Sequence, residues 1–382
     1  MKRILYSAAF MLALLATACG DANQKPSALP QIDVRTNYPE KEICLQDVAE
    51  VSYVPLETTD EFLFDGNLTM VSKQGIAVYN KDGSVMLFDA DGKAKHFFNK
   101  KGAGPDNYTI IRQLVVDWKR QEVYVLDWKN IQVYSLDGVY KRTLKPGGDI
   151  RQIDMYSFSE NELALFKEVS ERGEDFFPKP YHPVVLMDKS SGEEKALPFR
   201  KVFDRHILMQ GNGMTAQSYV SSLKEMGGKV YVNDVACDTL FVLDENAVLK
   251  PLVTRVPSAQ TWEEVEKLVV LRGATSRYYL FSLAYSVVTL ENQKVPKQIA
   301  YDRKDGEFYA IKFTSNDYAS GTWTSKSFNH RTDDADVVVA VLQVHHLIKA
   351  LEAGELSGEL KTIAEGLKED DNPVLMVVKF KE

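Results

Sequence analysis

Cysteine is scarce in this chain of 382 residues, and so are basic tracts, histidine pairs and long apolar runs. Beyond Cys19 only Cys44 and Cys237 remain, too few for a disulfide framework, and they fall in different repeats. Two separately buried thiols are the expectation. Acidic residues outnumber basic ones, 54 to 46, for a formal charge of −8, and no Lys/Arg tract tracks a phosphate backbone. Nucleic acid is therefore not expected as a partner. The longest apolar stretch, Ile4 to Ala16, is about 13 residues where a membrane-spanning helix needs about 20. The six histidines include no i, i+4 pair enclosing a carboxylate, so neither zinc chemistry nor any cofactor is expected.

What is present begins at the N-terminus. Lys2 and Arg3 precede the apolar run, and small residues lead to Cys19, the layout of a secretory signal. Ala16-Thr17-Ala18-Cys19 resembles the bacterial lipobox, with Leu15 one place off the usual leucine. Lipidation of Cys19 is expected; cleavage after Ala16-x-Ala18 without lipid is the alternative. Loss of Lys2 and Arg3 takes the charge to −10. Residues from Gly20 to Gln31 lack apolar periodicity and carry two prolines, as a tether does. The division read from sequence is 1–18 signal peptide, 19–33 lipidated tether and 34–382 folded domain. This places the chain in the cell envelope as an outer-membrane lipoprotein, with its side of that membrane undetermined.

Three stretches superpose: GIAVYNKDGSVMLFDADGKAKHFF from Gly75, EVYVLDWKNIQVYSLDGVYKRTL from Glu122, and KVYVNDVACDTLFVLDENAVLKPLV from Lys229. Each reads as strand, turn, strand, turn, strand, with Asn80, Asp127 or Asp234 closing the first strand and pairs such as Asp91-Gly92 and Asp137-Gly138 reversing the chain. Fainter copies run from Glu160 with His182, and from Lys297. A last strand, NPVLMVVKFK, starts at Asn372. No βαβ unit interrupts them. Six units of this kind make an all-β fold, a six-bladed β-propeller with helical insertions, its ring closed by pairing NPVLMVVKFK with Ile43–Glu57.

The KGAGPDNY loop, the VYVLD and VYSLDG strands, and the tail LKEDDNPVLMVVKFK together resemble the six-bladed β-propeller lipoproteins of Gram-negative envelopes, relatives of NHL-repeat propellers. The resemblance implies a fold and a location. It brings no catalytic residues.

The glycines of KGAGPDNY suggest a phosphate cradle, but the chain continues into a strand, no Gly-Lys-Ser/Thr follows, and Asn107 stands where a dinucleotide fingerprint has its last glycine. The loop turns a corner; a minor anion contact at Gly102 and Gly104 is the other reading. His345 and His346 open a helical stretch and read as surface or packing. Asp333, Asp334 and Asp336 lack the spacing of a calcium loop and read as a solvated turn. SNDYASGTW departs by two residues from the sialidase Asp-box and reads as a loop in which Trp323 packs.

In an antiparallel blade, the loop between second and third strands emerges on the same face as the connector to the next blade. Three insertions obey that rule: Lys167–Tyr181, a stretch from Thr261 to Arg277 read as helical with Thr261 as N-cap, and helices from about Val344 to Lys368. Trp118 falls on the opposite face. Tyr108, Trp128, Lys129, Asn130, Arg172, Trp262 and Arg272 are therefore the expected ligand-binding residues. The functional expectation is a monomeric, membrane-anchored, non-enzymatic scaffold for a protein or glycan partner. The alternative is a propeller glycoside hydrolase or polysaccharide lyase acting on extracellular glycans.

Overall fold

A computed structural model describes residues 29–128, 130–148, 150–169, 181–289, 294–324, 326–328 and 331–381. The repeats fold as anticipated into antiparallel four-stranded sheets, each strand hydrogen-bonded to the next in sequence. The first comprises Asn67–Ser72, Gly75–Tyr79, Ser84–Phe88 and Ala94–Asn99. The second comprises Gln113–Asp117, Glu122–Leu126, Ile131–Ser135 and Tyr140–Leu144, and the third Ile150–Ser157, Glu162–Val169, Val184–Asp188 and Glu194–Ala196. The fourth comprises Leu223–Met226, Lys229–Val232, Thr239–Leu243 and Leu249–Val256. The fifth comprises Lys267–Ala274, Tyr278–Tyr285, Lys297–Asp302 and Glu307–Ser315, to which Tyr318–Trp323 adds. In the sixth, Val374–Phe380 lies between Val337–Leu342 and Ala49–Pro55, antiparallel to both. The molecule is a β-propeller.

Second and third strands such as Glu122–Leu126 and Ser84–Phe88 are buried at every position, because neighbouring sheets cover both of their faces. Leu87, Val85, Leu114 and Val123 share one buried cluster spanning the first and second sheets. Leu126 and Leu165 share a buried cluster spanning second and third, Phe166 and Val232 one spanning third and fourth, and Leu240 and Phe281 one spanning fourth and fifth. Phe313 and Met376 join fifth to sixth, and Leu375 and Ile76 join sixth to first. Tight turns between strands use glycine where geometry requires it: Gly92 has φ +81°, and a Cβ there would lie 2.3 Å from the Pro55 carbonyl oxygen of the sixth sheet.

Three expectations change. The segment Ile43–Glu57 is not one strand: Glu40–Cys44 pairs in parallel with Glu307–Ser315 of the fifth sheet, Leu45–Val48 makes one helical turn, and only Ala49–Pro55 reaches Val374–Phe380. Fully buried Leu45 is what pins this crossing. The tether does not extend to residue 33, because Gln31–Asp33 pairs in parallel with the outer strand of the fourth sheet and Ile32 is fully buried. The stretch from Thr261 is not a helix. Lys267–Ala274 is the first strand of the fifth sheet, with Leu268, Val269, Val270 and Leu271 all buried, a demand that an amphipathic helix with one covered face does not meet. Thr261 caps nothing; its Oγ1 accepts the Glu263 N–H two residues on. The last insertion is helical, as Val344–Glu352 and Gly358–Gly366.

Candidate functional site

Among the described residues charged groups gather inside the fold at several places, including Glu122 with Arg142 and Lys189 with Asp117; two such places lie at the hub and on the loop-bearing face. The first is where the first strands of the sheets converge. The sixth sheet begins at Val337, and the chain before it instead lies along the first sheet: Thr332 bridges Val71 in parallel, and the Val71 N–H donates to the Arg331 carbonyl. From there the Arg331 guanidinium donates to Thr69 Oγ1 (2.7 Å) and to the Leu114 carbonyl (3.0 Å), lies 4.9 Å from the Tyr156 ring, and approaches Glu225 at 3.7 Å. These belong to the first strands of the first, second, third and fourth sheets. One side chain meets all four, so Arg331 sits at the hub. The turn that follows is structural. Asp333 accepts the Lys73 N–H, Asp334 pairs with Lys379, and Asp336 accepts both the N–H and the hydroxyl of Ser276. The acidic run is thus a clasp among sheets.

Lys224, on the first strand of the fourth sheet, has its amine pushed down to about 8 by burial and by the Arg272 charge. Arg272, on the first strand of the fifth, donates from Nε to Ser282 Oγ, and burial lowers its pKa. It is a strand residue facing the interior, not a loop residue on the ligand face.

The second place is a polar pocket between third and fourth sheets, lined by Phe166, Glu168, Lys201, Arg205, His206, Ser218, Tyr219, Ser222 and Asp234 among others. It belongs to the loop-bearing face. Phe166 and Glu168 lie towards the end of the second strand of the third sheet, Asp234 follows the second strand of the fourth, and the other named residues come from the connector between these sheets. That connector carries a hairpin, Ile207–Gly211 and Met214–Ser218, which forms a small separate sheet with Val287–Thr289, the strand following Tyr278–Tyr285 in the chain. Lys201 Nζ lies 3.1 Å from Asp204 and 3.0 Å from Asp234. His206 Nε2 lies 3.1 Å from Asp204 Oδ2. Burial would raise the Asp204 pKa, but His206 and Lys201 together hold it below the carboxylate range. Burial would lower Lys201, and Asp234 and Asp204 outweigh it. Below them, Asp154 accepts the Tyr219 hydroxyl (2.7 Å) and the N–H groups of Ser222 and Leu223; burial drives its pKa up.

The expected ligand residues divide. Trp128 is 61% exposed and Trp262 is 69% exposed, the first beside the Arg112 guanidinium, the second packed on Phe203 with ring centres 4.8 Å apart. Asn130 is exposed in the same turn as Trp128. Tyr108 is not available: it is fully buried, donates its hydroxyl to the Gly83 carbonyl (2.6 Å) and accepts the Lys100 N–H. It anchors the KGAGPDNY loop, whose Gly102 N–H donates to the Tyr108 carbonyl. That loop turns a corner. Lys129 and Arg172 lie outside the described residues. Cys44 and Cys237 are free thiols, each partly buried. His345 and His346 sit exposed on their helix. The polar pocket was not anticipated, since only the His206–Asp204 spacing is local and Glu168 comes from another repeat.

A family model described as a domain of unknown function, DUF4934, matches residues 29–379. The chain belongs to the DUF4934 family. Among solved structures it is similar to a protein of Bacteroides fragilis described as exported, with 14% identity over 93% of this chain and 100% of that one and a TM-score of 0.64. It is also similar to a DUF4221 family member from Bacteroides vulgatus, with 11% identity over 88% of this chain and 98% of that one and a TM-score of 0.50. No curated protein matches this DUF4934 chain in sequence. At these identities the structural likeness is one of fold.

Proposed function

We propose that this DUF4934 protein is a six-bladed propeller of the cell envelope, held to the outer membrane by lipid on Cys19, which binds a protein or glycan partner through its loop-bearing face without catalysing a reaction. Six sheets packed in succession, with the N-terminal strand Ala49–Pro55 beside the C-terminal one, support the blade count and the closure. The leader before Cys19 supports the location, as does the likeness to a Bacteroides fragilis protein described as exported.

The observation that carries the binding reading is Arg331. Propeller enzymes gather their chemistry around the central channel, and here the chain's own guanidinium occupies the point where four first strands meet. We therefore assign recognition to the surface. The face that carries Trp128, Trp262 and the hairpin offers exposed aromatic and apolar groups, including Met209 and Met214. Pull-down and glycan-array screens test this with Trp128→Ala and Trp262→Ala, compared with Lys119→Glu on the opposite face. Loss of at least tenfold in affinity for the tryptophan variants alone is expected. Equal loss from Lys119→Glu would overturn the one-face reading.

A further inference from the structure

We propose that Lys224 and Arg272 bind a small dianionic oxyanion, sulfate or phosphate, at the hub. They belong to the first strands of the fourth and fifth sheets, each at the inner edge of its sheet. Each stands two residues before the end of its strand, so the two share one level of the hub. Their neighbours Leu223, Glu225, Leu271 and Gly273 are buried, whereas Lys224 and Arg272 keep part of their surface open. A break in register between Leu271 and Gly273 leaves Arg272 outside the strand ladder, in a bulge of the kind that re-aims a side chain.

Among the described residues neither cation has a carboxylate partner. Arg272 makes one side-chain hydrogen bond, from Nε to Ser282 Oγ, and the Lys224 amine makes none. Lys224 Nζ and the two Nη groups of Arg272 are not sealed in, so all three can meet a solute. The two charges work against each other. Burial and then the Arg272 guanidinium hold the Lys224 amine down to about 8, which still leaves it mostly protonated at neutral pH. Asp154 attracts that amine, but its carboxylate already accepts the Tyr219 hydroxyl and the N–H groups of Ser222 and Leu223, and burial drives its pKa up. Arg331, deeper in the hub, is opposed by Glu225 at 3.7 Å. Two like charges held side by side in a region of low dielectric are costly unless an anion joins them. One dianion balances both, and its oxygens accept from the guanidinium fork and from the ammonium. A carboxylate would balance only one.

The stretch Arg331–Asp336 lies over one end of the hub. The Thr332 carbonyl, Asp333 and Asp336 accept the N–H groups of Gly228, Lys73 and Ser276, in the turns that follow the first strands of the fourth, first and fifth sheets. The other end is reached from the loop-bearing face past Tyr219, which is 41% exposed although its hydroxyl extends to Asp154. The ion is a resident of the hub, so the inference is independent of the surface residues assigned to recognition.

The test titrates the purified chain calorimetrically with sodium sulfate at constant ionic strength, then with phosphate and with acetate, alongside Lys224→Gln and Arg272→Gln. One equivalent of sulfate or phosphate is expected, with a rise in melting temperature that sodium chloride at the same ionic strength does not give, and with acetate at least tenfold weaker. Each variant should weaken sulfate at least tenfold, about 1.4 kcal/mol. Wild type binding sulfate no more tightly than either variant overturns the site, and acetate binding as tight as sulfate overturns the dianion. Glucose 6-phosphate should bind more weakly than phosphate, because the site lies below the surface; equal binding would assign it to an ester carried by a larger molecule instead of a free ion. Should Arg272→Gln fail to fold through loss of the Ser282 contact, Lys224→Gln carries the comparison, because Lys224 has no side-chain hydrogen bond to lose.

Discussion

Arg331 and Lys224 show how much a single charged side chain depends on what surrounds it. Arg331→Met removes the partner of Glu225, a carboxyl whose pKa burial already raises while Arg331 and Lys189 oppose that rise. An unpaired buried charge costs about 3–5 kcal/mol, so denaturant unfolding should show a loss of that order, partly recovered in Arg331→Met with Glu225→Gln. A double variant no more stable than the single one would mean that the guanidinium acts by packing alone. Lys224 makes a prediction in pH. Its amine titrates near 8 in the folded protein against about 10.4 in the unfolded chain. Between those values the unfolded state holds a proton that the folded state has released, so this group's contribution to stability rises with pH across that window. Unfolding free energies at pH 8 and pH 9.5 should therefore increase more for wild type than for Lys224→Met. Equal pH dependence in the two proteins would refute the shift.

Strands and turns carry the next set of consequences. Val374–Phe380 is the middle strand of the sixth sheet, with Val374, Leu375, Met376, Val378 and Phe380 buried. At roughly 1.5–3 kcal/mol each, their burial amounts to about 8–15 kcal/mol, comparable with the roughly 5–15 kcal/mol net stability of a domain. Truncation before Asn372 should give an aggregating or unfolded protein, whereas deletion of Asp21–Ser27 should leave the melting temperature unchanged. A soluble, cooperatively melting truncation would show that the other sheets do not need this strand. Among turns, Gly213 and Gly227 both have positive φ, but a Cβ at Gly213 meets nothing within 4 Å, while one at Gly227 would lie 2.3 Å from Ala335 Cα in the segment after Arg331. Gly213→Ala should cost about 1–2 kcal/mol, the backbone term alone, and Gly227→Ala clearly more. Similar losses by thermal melting would mean that the clasp from Asp333 to Asp336 yields freely.

For the whole molecule the decisive question is attachment. Cys19→Ala should release the protein from membranes, because stable anchoring needs two or more lipid chains and a mutated cysteine carries none. Fractionation of cells expressing each form is the measurement. A wild type already found in the soluble fraction would favour simple cleavage after Ala18 and remove the tether from the account.

At this scale the sequence by itself determined the strands, the turns and the pairing of Asn372–Lys381 with the N-terminal region. Each rests on a short-range signal: apolar alternation in Glu122–Leu126, or Asp-Gly at 91–92. It also placed Trp128 in a loop and Trp262 in a stretch read as helical, and both are exposed. It misread Thr261–Arg277, where a capping-box spelling competed with a continuous apolar run and burial on two faces decided for a strand. It also placed Tyr108 on the ligand face, since nothing local distinguishes a tyrosine offered to solvent from one bonded to Gly83. Only the tertiary structure brought Arg331 to the hub and gathered Glu168, Asp204 and His206 into one pocket. Those contacts join residues of different sheets, and their geometry is set by how the sheets pack side by side, a non-local outcome that no spacing along the chain encodes.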